Sequence, residues 1–171
     1  MNILKFNLKR LKFNRLTICV KHNIKTTDIS NLKTKEGDTQ NTERKSIELI
    51  KICLDKLGYY YETAGSQQPK DFRNICKIGL DVEIKKTDSF TVYFNDTLPS
   101  INTYYIILFT GKKYKTKEDI PSQFIFINGY DLVKSDIYHL LEYQKDIEEI
   151  KDKWARKKEN NKANKFKYFS V

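Results

Sequence analysis

Apolar and polar positions alternate with a period of two through Leu80-Asp81-Val82-Glu83-Ile84-Lys85. That pattern predicts a strand with one apolar face and one face made only of charge. "TYYIILF" and "QFIFING" are runs of β-branched and aromatic residues and predict buried strands. Shorter strands are expected at "YYYETAG" and "DFRNI", with "GSQQPK" as a turn or loop and "CKIG" as the turn into the charged strand. Over about residues 42–57 the period becomes helical, Ile47, Ile50, Leu54 and Leu57 forming one stripe that Gly58 terminates. Carried back one turn, the stripe reaches Glu43, an acid on the inward edge of the helix N-terminus, where it also complements the helix dipole. From Asp131 onward, Val133, Ile137, Leu140, Tyr143, Ile147, Ile150 and Trp154 recur at helical spacing. Helix, three-stranded meander, two more strands and a long helix make an α/β (α+β) domain with a central mixed sheet flanked by helices.

The ends differ from the middle. Residues 1–40 read as a basic N-terminal arm or linker, 41–157 as the domain, and 158–171 as a basic C-terminal tail. No acid precedes Asp28, whereas Lys5, Lys9, Arg10, Lys12, Arg15, Lys21 and Lys25 are all cationic. Leu4, Leu8, Leu11 and Ile18 suit a helix; Leu4, Phe6 and Leu8, or Leu11 and Phe13, suit a strand equally. The segment fits an organelle transit peptide or a phosphate-binding arm, and "NLKTKEGDTQN" after it reads as a polar linker.

With 171 residues of uniform composition, one domain with a substantial core is expected. The net charge of +10 points to an anionic partner, nucleic acid first. Cys19, Cys53 and Cys76 form no Cys-x-x-Cys pair or Cys/His cluster, which argues against structural zinc. Without a secretory pattern the expectation is reduced thiols and an intracellular protein, and no apolar run suits a bilayer.

The charged face fits either a solvated edge or an active site. If "DFRNI" and "LDVEIKK" pair across "CKIG", Asp71 lies near Glu83. Two converging carboxylates repel unless a cation sits between them, and a hard divalent ion, Mg²⁺ with Mn²⁺ as substitute, suits oxygen donors. Lys85 shares the face of Glu83, where it can orient a water or neutralise charge on a phosphorus, and the Ile84 carbonyl can add a metal ligand.

"PKD" followed by "VEIK" resembles the signature of the PD-(D/E)XK nuclease superfamily. The resemblance covers roughly residues 43–128 and implies a core of a helix, a three-stranded meander, a second helix and another strand. It implies Asp71 and Glu83 as metal ligands, Lys85 as the catalytic lysine and Glu43 as the helix acid. "GSQQPKDFRN" and "EIKKTDS" look most like the restriction-endonuclease branch, implying Mg²⁺-dependent hydrolysis of DNA. The chain departs from the pattern after the charged strand, which is followed by loop rather than a clear second helix, so either "TYYIILF" or "QFIFING" can be the fourth strand. Little chain remains for reading a target sequence. Three alternatives stay open: a structure-specific recombination or repair nuclease, like a Holliday-junction resolvase; an inactive nucleic-acid-binding module; and a structural or assembly protein whose charged strand is simply exposed.

Gln67 and Gln68 are placed at the mouth of the site, where amides can touch a phosphate or a base edge. Lys86 and Thr87 can hold a neighbouring phosphate, although Lys86 points away from Lys85. Lys112, Lys113, Lys115 and Lys117 form a loop cluster suited to backbone phosphates. Asn95-Asp96-Thr97 reads as a turn, and His22 and His139 take no role. Cutting both strands with one site per chain suggests a homodimer, with Ile147, Ile150 and Trp154 as the contact.

Overall fold

The computed structural model describes residues 3–33, 39–63, 70–94, 99–113 and 118–167. The chain divides into two compact units, residues 1–132 and 133–171.

The first unit opens with three helices, α1 (Ile3–Asn23), α2 (Thr26–Ser30) and α3 (Thr39–Lys56). Strands β1 (Glu62–Thr63), β2 (Phe72–Ile75), β3 (Leu80–Thr87), β4 (Thr103–Phe109) and β5 (Gln123–Asn128) follow, and then the short α4 (Gly129–Val133). The strands lie in sequence order in one mixed sheet. β1, β2 and β3 form the expected antiparallel meander, β4 runs parallel to β3, and β5 returns antiparallel to β4. "TYYIILF" is therefore the fourth strand, and "QFIFIN" the fifth. "YYYETAG" contributes only the two residues of β1 among those described.

One face of the sheet carries Leu80, Val82, Ile84, Tyr104, Ile106 and Leu108 into a core shared with α1, α2 and α3. Expected as an arm, the first forty residues instead supply Phe13, Leu16, Val20, Ile24, Ile29 and Leu32 to that core. Phe13 packs its ring 4.5 Å from that of Tyr104. Residues 13, 16, 20 and 24 recur at helical spacing, so burying them against sheet and α3 outweighs the stripe through Leu4, Leu11 and Ile18, which stays exposed. α2 is tied to the start of β5: Ser122 Oγ donates to the Thr26 carbonyl at 2.6 Å and pairs with Ser30 Oγ at 2.9 Å.

α3 ends as expected. Gly58 adopts φ +60°, the Tyr59 amide bonds the Leu54 carbonyl at 3.0 Å, and the Gly58 amide bonds that of Asp55, the paired 6→1 and 5→2 bonds of a left-handed glycine cap.

β4 is buried on both faces. Opposite the helices, the segment leading from β3 to β4 lies over it: Phe90 stacks on Phe109 and Phe94 meets Tyr105 edge-on at 5.4 Å. Among the described residues of this segment there is no helix. Its last turn rests against Gly129, where a Cβ would stand 1.8 Å from the Ser100 carbonyl oxygen. Gly129→Ala is therefore expected to cost about 3 kcal/mol by overpacking, read as a drop of roughly 5 °C or more in a thermal melt.

In the second unit α5 (Ile137–Lys167) is a single helix of 31 residues, longer than the helical signal in the sequence because the basic segment after residue 157 continues it. Tyr143, Ile150 and Trp154 of the expected stripe are exposed.

Candidate functional site

The site is set by how β2 meets β3. Phe72 and Ile75 are three residues apart and would face opposite ways in a regular strand, yet both are fully buried. A bulge reconciles them: Ile75 pairs with Leu80, but Phe72 pairs with Val82, a shift of one residue. Asn74 takes the extra residue with φ +49°, a left-handed conformation that asparagine tolerates better than most side chains. Its amide N–H donates to Asp81 Oδ1 at 3.0 Å, its Nδ2 to Glu62 at 2.9 Å, and its Oδ1 accepts from the Gly79 amide. Lys70 closes the arrangement with a 2.7 Å pair to the other Asp81 oxygen. Asp81, one of the three charges of the outer face of β3, thus serves the hairpin.

Extending the Phe72–Val82 register by one residue places Asp71 opposite Glu83, on the sheet face away from the helices. Without the bulge it would face Ile84. The Ile84 amide instead donates to Asp71 Oδ2 at 2.6 Å, fixing the carboxylate at the end of β2. In an extended strand a residue's N–H and C=O leave on the same side, so the Ile84 carbonyl is directed toward Asp71 as well. Lys85 Nζ lies 2.7 Å from Glu83 Oε1, and Glu83 is only 8% exposed. Asp71, Glu83 and Lys85, three residues singled out from sequence, therefore converge.

The fourth, Glu43, sits less deeply than its stripe suggested. The buried line of α3 runs through Thr42, Ser46, Ile50, Cys53 and Leu54, leaving Glu43 exposed on the flank. Its charge still reaches Asp71. Burial pushes the Asp71 carboxyl up to about 6; the negative charges of Glu83 and Glu43 add to that, against the Ile84 amide and the Lys85 ammonium.

Two aromatic residues belong to the site and were not singled out from sequence. Tyr105 pairs with Glu83 across β3 and β4, and its hydroxyl accepts the Ser100 amide at 2.7 Å. Burial, and then the charge of Glu83, push that phenol up to about 12, so it stays a neutral donor near neutral pH. Phe94 places its ring centroid 5.4 Å from Lys85 Nζ, shielding the ammonium and strengthening its pull on Glu83. The alternation along "TYYIILF" carried the signal for Tyr105: odd positions share the face of Glu83 once β4 pairs with β3. Phe94 lies in a segment without periodicity and left no such signal.

The remaining candidates are spread more widely. Lys86 points to the other face and binds Asp88 at 3.0 Å, while Asp88 accepts from Thr110 Oγ1 at 2.7 Å, a link that ties the end of β3 to the end of β4. Lys112 holds its ammonium 5.1 Å from the ring of Phe90, whose partner Phe109 lies on the same face as Lys85. Lys113 is exposed. Gln67, Gln68, the Asn95–Thr97 turn, Lys115 and Lys117 lie outside the described residues.

Chemically, Asp71 and Glu83 bring two carboxylates to the ammonium of Lys85, and the exposed Glu43 adds its negative charge from the flank of α3. Among the described residues no three His, Cys, Asp or Glu side chains gather as a metal-binding group. The donor set is instead two carboxylates and a backbone carbonyl, and Mg²⁺ commonly takes one or two protein carboxylates with water and phosphate completing its shell. The surplus negative charge and the hard oxygen donors fit such an ion. No helix among the described residues is long and apolar enough to cross a membrane. No protein-family model, curated protein or solved structure matches the chain.

Proposed function

We propose that the protein is a Mg²⁺-dependent endonuclease of the PD-(D/E)XK type that hydrolyses DNA phosphodiester bonds, most like a restriction enzyme. The observation that carries this reading is the convergence of Asp71, Glu83 and Lys85 on one sheet face with more carboxylate charge than the lysine neutralises. The order helix, antiparallel meander and parallel fourth strand supports the fold assignment. The crossover before β4, without a helix among its described residues, departs from it.

In this reading Asp71 and Glu83, with the Ile84 carbonyl, would hold the ion, which when bound would supply Lewis acidity to the scissile phosphate and to a water. Lys85 orients the attacking water and stabilises negative charge developing on the phosphoryl oxygens. Its 2.7 Å bond to Glu83 fixes the ammonium in advance, so little reorganisation is needed during reaction. Tyr105 offers a neutral hydroxyl beside Glu83, and the Phe94 ring limits water access to Lys85. Lys112 and Lys113 flank the face as phosphate contacts.

DNA affinity is expected to drop about 10³-fold between 50 and 200 mM salt, the loss for about six phosphate contacts; fluorescence anisotropy with labelled duplex reads it. Exposed Tyr143, Ile150 and Trp154 on α5 supply an apolar surface for pairing two copies, and a light-scattering mass of two chains is the expected result. Incubation with linear and supercoiled plasmid plus Mg²⁺ tests the activity directly. Discrete fragments support the restriction reading, cutting of branched DNA alone selects the structure-specific enzyme, and binding without cleavage leaves a binding module.

A further inference from the structure

A cavity of about 660 Å³ opens where the N-terminal half of α1 passes the start of β4 and the end of β5. Tyr104 lines it and Tyr105 faces the candidate site, so the cavity and the Asp71–Glu83–Lys85 group lie on opposite faces of the sheet. The chemistry of its wall is specific. Lys5, Lys9 and Arg10 bring three cations from a single stretch of α1. The one carboxylate among the described lining residues, Asp131, accepts from the Asn128 side-chain amide and donates its own backbone N–H back to Asn128 Oδ1 at 2.8 Å, so it is already engaged. The wall therefore carries a net positive charge. Three rings share the space: Phe6 and Tyr130, both partly exposed, and the buried Tyr104. Asn102 adds an exposed amide able to meet polar edges.

The size lies within the range of small-molecule sites, but a purely apolar ligand would leave three ammonium and guanidinium groups without a counter-charge. A bare anion would leave the rings without a partner. A ligand with an anionic group at one end and a flat π-system at the other satisfies both, and phosphate with a nucleobase is that combination.

We propose that this cavity binds a 5′-phosphorylated nucleotide, its phosphate on Lys5, Lys9 and Arg10 and its base against Phe6 and Tyr130. The inference is independent of the nuclease reading, because no residue of the catalytic group lines the cavity. The ligand is either a free nucleotide or the 5′-terminal nucleotide of a DNA strand.

Isothermal titration of the full chain with dAMP, deoxyadenosine and inorganic phosphate tests it. Binding of dAMP at least tenfold tighter than either fragment is expected. Arg10→Glu should weaken dAMP at least tenfold, and Tyr130→Ala by roughly 5- to 100-fold, the range for loss of a base–aromatic stack. Asp71→Asn should leave dAMP affinity unchanged. Lys9→Glu replaces Arg10→Glu if the latter melts below the wild type. Single-stranded oligonucleotides with and without a 5′-phosphate separate the sources. An Arg10-dependent preference for the phosphorylated end assigns the cavity to strand ends, and binding of dAMP alone assigns it to the free nucleotide. Absence of dAMP binding, wild-type dAMP affinity in Arg10→Glu and Lys9→Glu, or loss of dAMP binding in Asp71→Asn overturns the proposal.

Discussion

Replacing Lys85 by glutamine is expected to slow plasmid cleavage by at least about 10²-fold at saturating Mg²⁺, the scale of losing one preorganised stabiliser of transition-state charge. The side chain faces the site and not the core, and its ammonium is fixed between Glu83 and the ring of Phe94. Glutamine keeps the length and a donor but not the charge. The same change leaves the buried Glu83 without its cation, so some stability is lost too. A melting curve beside each assay, with rates scaled to folded protein, separates the two effects. Wild-type rates in Lys85→Gln would remove Lys85 from the mechanism.

Asp71→Asn is expected to abolish cleavage while making the metal-free protein more stable above pH 6. The sign follows from which state holds the proton more tightly. The folded carboxyl titrates at about 6 against an ordinary value of 3.8, so the native state binds this proton more strongly than the unfolded chain does. Stability from the neutral acid is fully present below about pH 4 and is lost as pH rises through 6. A tenfold difference in proton affinity between the two states is worth about 1.4 kcal/mol, and allowing for partial solvent access the penalty is about 2 kcal/mol. Asparagine keeps an oxygen for the Ile84 amide and never ionises. The variant should melt with the wild type near pH 4 and roughly 4–8 °C above it at pH 8. Mg²⁺ should raise the wild-type melting temperature at pH 8 and hardly at pH 5, where the proton competes for Asp71, and should raise that of Asp71→Asn less at either pH. A variant no more stable than wild type at pH 8 would mean that Asp71 carries no such penalty.

Asp71→Asn thus exchanges chemistry for stability, a common condition of sites that gather like charges, whereas Lys85→Gln loses both.

What the sequence determined by itself was local. Alternation through Leu80–Lys85 specified β3 and put Glu83 and Lys85 on one side, because strand side chains alternate whatever surrounds them. Gly58 marked the end of α3, since its left-handed cap disfavours side chains with a Cβ. The β-branched and aromatic runs specified β4 and β5 as strands, but only β4 is buried as expected; β5 lies at the edge of the sheet, half-exposed. Tertiary structure decided the rest. The pairing of Asp71 with Glu83 rather than with Ile84 depends on a bulge at Asn74, visible in sequence only as the odd spacing of Phe72 and Ile75. The N-terminal segment was legible as basic but not as core, because Phe13, Leu16 and Val20 compete with a second apolar set on the same helix. Only the surfaces offered by α3 and the sheet choose between them. Tyr105 and Phe94 joined the site for a similar reason: a parallel β4 and a crossover folded over it bring together residues that no local pattern connects.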